Sequence, residues 1–184
     1  GMKHDRDEVL AFYKKRKTPV VDTTAGKNLM QLLNDNTYQK GGWVLHMLRR
    51  KLGEEIFKKG IQAYYATYKG KNASTDDFMH IMEKVSKQNL QLFFKQWLYT
   101  AGQPVLRGKW NYDVKKKALN MEIRQTQNFV FQFPLEIALK DGNRNVFKKI
   151  DFNNRAINIS MPLNFKPEAI LLDPNINLLF EGSI

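Results

Sequence analysis

The chain has 184 residues, 42% of them hydrophobic and 12% aromatic, enough for one ordinary domain or two small ones built around packed cores. It contains no cysteine, which excludes disulfides, thiol catalysis and thiolate metal sites. Its formal charge is +12, split as +8 over residues 1–102 and +4 over residues 103–184. Basic clusters such as 14–17, 49–51 and 115–117 are therefore scattered, and no RNP-like strand, zinc-finger ligand pair or basic region before heptads accompanies them, so nucleic acid is not the expected partner. No apolar run reaches the roughly 18–20 residues of a membrane span, and no secretory leader opens the chain. Gly1-Met2 has the look of a cloning remnant, so the natural start is expected elsewhere and the compartment stays open.

In chain order, a charged helix is expected over about Asp5 to Lys17, with Val9, Leu10 and Phe12-Tyr13 as a modest apolar face. After Thr18-Pro19 comes an extended link and a short helix around Leu29 to Leu33. Tyr38 to Leu52 is apolar on most of its circumference and reads as the most enclosed helix. Gly41 and Gly42 near its start each cost about 1 kcal/mol against Ala, which predicts a close backbone approach there. Glu54 to Tyr68 reads as the next helix, ended by Gly70. A further one is capped by Ser74 or Thr75, has Asp76 and Asp77 in its first turn, and buries Phe78, Ile81, Met82 and Val85. Leu90, Phe93, Phe94, Trp97 and Leu98 then recur at i, i+3, i+4, i+7 and i+8 as one helical stripe.

Helical spacing gives way to strand spacing near Gly102-Gln103-Pro104. Strands are expected at 106–112, 118–124, 131–139, 145–152, 156–161, 169–172 and 178–180, parted by turn signals such as Asp141-Gly142-Asn143. The expected architecture is α+β in two segregated parts. A bundle of about six helices occupies residues 1–103, and an antiparallel β-sandwich of about seven strands occupies 104–184.

His4, His46 and His80 stand alone, with no H-E-x-x-H or H-x-H, so no metal site is expected within the chain. Walker or Rossmann glycine spacing and G-x-S-x-G are also missing. One series of motifs rises above this background. Tyr38-Gln39-Lys40-Gly41-Gly42-Trp43 opens it, followed by Leu52-Gly53-Glu54-Glu55-Ile56-Phe57, Asn72-Ala73-Ser74-Thr75-Asp76-Asp77-Phe78, Phe94-Lys95-Gln96-Trp97-Leu98 and Gly102-Gln103-Pro104-Val105-Leu106. In that order they resemble the membrane alanyl aminopeptidase (gluzincin) family of zinc metallopeptidases over most of residues 30–106.

The resemblance implies that Tyr38, the tyrosine of a Y-x-K-G motif, hydrogen-bonds the oxyanion formed when water attacks a peptide carbonyl. A phenol keeps its proton at neutral pH and donates to developing negative charge. The family's H-E-x-x-H, its third zinc ligand and its amine-binding G-x-M-E-N segment all precede Y-x-K-G and have no counterpart here. The resemblance therefore implies the C-terminal part of such an enzyme, acting on peptides once joined to an N-terminal catalytic part, with zinc in the full-length protein and none in this part, and inactive alone. The residues by themselves leave a second possibility open, a non-catalytic module that binds another protein or a polyanion.

Overall fold

The structure, a computed structural model, describes residues 6–8, 10, 11, 19, 20 and 35–184. The expected helix around Leu29 to Leu33 lies outside the described residues, as does most of the one from Asp5 to Lys17, of which 6–8, 10 and 11 are helical. Two compact units divide the chain, residues 7–102 and residues 103–184, the second joined by Arg6.

In the helical unit, α1 (Asp35–Leu52) buries Trp43, Val44, Met47, Leu48 and Leu52, a stripe at the 3.6-residue repeat. Arg49, Arg50 and Lys51 fill its last turn, where the helix dipole favours positive charge. Gly53, at φ 83°, separates it from α2 (Glu54–Tyr68). A Cβ on Gly60 of α2 would run into the sulfur of the buried Met82 of α3 (Thr75–Ser86), so the glycine is what lets these helices close on each other.

A full capping box starts α3. Asp77 N–H donates to Ser74 Oγ at 3.1 Å, and Ser74 N–H donates back to Asp77 Oδ2 at 2.8 Å. Those bonds from Ser74, followed by one from the Tyr68 hydroxyl, hold the Asp77 carboxyl below its usual range. Tyr64, Phe78 and Phe94 form an edge-to-face series with centroids 5.1 and 6.1 Å apart.

The strands β1 (Val105–Asp113), β2 (Ala118–Gln125), β3 (Phe133–Asp141), β4 (Arg144–Phe152), β5 (Ala156–Pro162), β6 (Ala169–Leu172) and β7 (Glu181–Ser183) form two sheets, ordered β5-β2-β1-β7 and β4-β3-β6. Period-2 burial is clearest in β2, where Leu119, Met121, Ile123 and Gln125 face inward. Gln125 is fully satisfied at depth: its amide donates to Phe131 O at 2.8 Å and accepts from Phe131 N at 3.0 Å.

The expected fold class is corrected. From residue 35 on there are five helical elements, and they do not make up a six-helix bundle. Two of the five are short: α4 is only Gln91–Phe94, and it runs into a five-residue π-helical turn, Lys95–Tyr99. The apolar stripe from Leu90 to Leu98 is buried, yet it is not one α-helix, because over nine residues a 3.6-residue repeat and a wider one place the same side chains inside. The strands do not form an all-antiparallel array either. They divide four and three, and β7 runs parallel to β1, pairing Val105 with Glu181. Leu178 to Phe180, expected as a strand, is buried but is not a strand, and β7 begins at Glu181. Its apolar character reported burial, which strands and irregular segments share.

Candidate functional site

The first turns of α1 carry the Y-x-K-G motif. Tyr38 is 89% exposed, so its ring is not sealed in the helical unit. Gln39 beside it donates to Glu8 Oε2 at 3.0 Å, tying this turn to the helical residues 6–8. Tyr38, Gly41 and Leu45 follow at i, i+3 and i+7 on one face of the helix. Directly along that face opens a hollow of about 320 Å³, bounded by Gly41, Leu45 and Leu48 of α1, Tyr64 of α2, and Phe78 of α3.

The two glycines correct an expectation. Among the described residues nothing lies within 4 Å of where a Cβ on Gly41 or Gly42 would stand, so neither marks a close backbone approach. Gly41 instead leaves the hollow open next to the turn that bears Tyr38. A glycine pair in sequence looks the same whether a neighbour presses on it or space must stay clear. Leu45, counted among the apolar residues of the helix expected to be most enclosed, is 43% exposed on the same face.

On the opposite side of this turn the structure places a residue that sequence reasoning passed over. Lys40 is 0% exposed, and its ammonium donates to Gly102 O at 3.1 Å and Thr100 O at 3.4 Å. Burial pushes its pKa down from 10.5 to about 7. A signal was available: Lys40, Trp43, Val44 and Met47 fall at i, i+3, i+4 and i+7, which puts the lysine on the core stripe.

Of the histidines, His46 meets the Trp43 ring edge to face at 5.4 Å, and His80 lies one turn from Asp77 on α3, while His4 is outside the described residues. Among the described residues no group of three or more His, Asp or Glu could hold a metal ion. The zinc that the resemblance implies is expected in an N-terminal part, and the described residues offer no such donor set of their own.

The motif series agrees in family with what comparison with known proteins finds. The profile of the peptidase family M1 domain matches residues 5–97, just over half of the chain, and the chain belongs to that family. It is similar to a probable aminopeptidase 2 of Sulfurisphaera tokodaii (33% identical over 120 residues, 62% of this chain and 15% of that one). It is also similar to aminopeptidase N of Escherichia coli (35% identical over 88 residues, 48% of this chain and 10% of that one). In fold it superposes on a crystal structure of Legionella pneumophila aminopeptidase A in complex with aspartic acid, with a TM-score of 0.80 and 16% identity, over 98% of this chain and 21% of that one. The chain thus spans about a seventh of the length of the first of these relatives.

Proposed function

We propose that this chain is the C-terminal part of an aminopeptidase that removes N-terminal residues from peptides, and that Tyr38 is its oxyanion-stabilising donor. The observation that carries the reading is the position of Tyr38. It heads the Y-x-K-G motif of a family M1 chain and stands exposed on a helix, one turn before Gly41, which lines an open hollow. A donor on a helix is preorganised, so it stabilises developing charge without reorganising at the moment of reaction. Its substrate on this reading is a peptide, and its partner is the N-terminal catalytic part that supplies the metal and the water-activating base. Nucleic acid has no role in it.

Removing one oxyanion donor costs on the order of a hundredfold in turnover. In the full-length enzyme, Tyr38→Phe is expected to lower kcat by about that factor. Metal content and unfolding midpoint should stay unchanged, because only an exposed hydroxyl is removed. A kcat within about twofold of the parent, far less than donor removal produces, would show that the phenol has no such role. The 184-residue chain alone is expected to release no amine from an aminoacyl anilide.

A further inference from the structure

The contacts of Lys40 connect two segments sixty residues apart, and their chemistry is poorly explained by stability alone. Removing an ammonium from water is expensive, and a methionine of similar length would be cheaper to bury at a site this enclosed. What only the lysine nitrogen offers, whether protonated or neutral, is direction, through N–H donors aimed at fixed acceptors. Those acceptors, Thr100 O and Gly102 O, lie in the turn that follows the π-helical segment. That turn is itself tightly specified, because Gly102 sits at φ 87°, where L side chains are strained.

Residues two apart on an α-helix lie about 200° around its axis. Holding Lys40 inward therefore sets the rotation at which Tyr38 stands outward. We infer that Lys40 is a positioning residue for Tyr38, pinning the first turn of α1 to the carbonyls of Thr100 and Gly102 so that the turn bearing the phenol keeps one orientation. This inference rests on the oxyanion role proposed for Tyr38, but what it asserts is where the ring is held.

The test reads that position, not hydrolysis, so it can fail while the oxyanion role stands, and the reverse. In the 184-residue chain, 3-fluorotyrosine is placed at position 38 and, as a control, at Tyr65 on α2, which is also exposed. In Lys40→Met the fluorine signal at 38 is expected to move by more than its linewidth while the signal at 65 stays put. Amide exchange at Thr100 to Gly102 should accelerate roughly tenfold, the local opening released when both carbonyls lose the Lys40 donor. Gly102→Ala, which displaces the acceptor and leaves the lysine, should move the same signal, and the double variant should add little to either. An unmoved signal at 38 in folded Lys40→Met, or equal movement at 38 and 65, overturns the inference. Should Lys40→Met fail to fold, Gly102→Ala decides alone by the same two criteria.

Discussion

Replacing Lys40 by Met should remove a pH dependence from the stability of the helical unit. Burial lowers the Lys40 pKa from 10.5 to about 7 in the folded chain. Between those values the unfolded chain binds a proton that the folded chain does not. Stability attributable to this group is therefore complete above about pH 10.5 and drains away as pH falls toward 7. The full shift corresponds to about 5 kcal/mol, and the two units between pH 9 and 7 to about 2.7 kcal/mol. Trp43 and Trp97 are buried in the helical unit, so urea unfolding followed by tryptophan emission in a Trp110→Phe background reads that unit. Other groups titrating in the window cancel in the difference between parent and Lys40→Met. That difference should shift in favour of the lysine form by about 2–3 kcal/mol on going from pH 7 to pH 9. Parallel stability curves for the two chains would mean that Lys40 stays hydrated or fully charged, and the account of its burial would be wrong.

Asp173 should behave in the opposite sense. It is buried at φ 47°, accepts from the backbone of Asn177 and Leu178 at 2.8 and 3.0 Å, and faces Arg6 at 3.7 Å. Burial raises its pKa from 3.8 to about 6 against those bonds. Its contribution to stability is complete below about pH 3.8 and is lost as pH rises through 6, a loss of about 3 kcal/mol that Asp173→Asn should abolish in unfolding curves taken from pH 4 to 7. Ser74→Ala deletes one half of the capping box and should lower the stability of the helical unit by about 1 kcal/mol, with amide exchange accelerating first in the opening turn of α3. A Cβ on Gly182 would stand 2.5 Å from Leu106 O, a backbone atom with nowhere to retreat. Gly182→Ala should therefore destabilise the strand unit by about 2 kcal/mol or more, read as lost exchange protection along the β1–β7 pair. An Ala variant as stable as the parent would refute that packing.

Much of the helical unit could be read from local pattern. The spacing of apolar residues gives the bounds of α2 as Glu54–Tyr68, and Ser74 or Thr75 as cap with Asp76 and Asp77 behind it gives the start of α3 to within a residue. These features depend on interactions within a turn or two, which is what sequence spacing encodes. The motif series likewise singled out Tyr38 and led to the family, because the order of short motifs is a property of the chain and not of its folding. Where the outcome depended on what lies across space, local pattern failed. Whether Leu90 to Leu98 is α or π, whether β7 runs parallel to β1, and whether Gly41 meets a neighbour or a hollow are all decided by partners distant in sequence. Lys40 shows the same division: its place on the buried stripe could be counted, but its acceptors are sixty and sixty-two residues away, and only the folded chain brings those carbonyls to it.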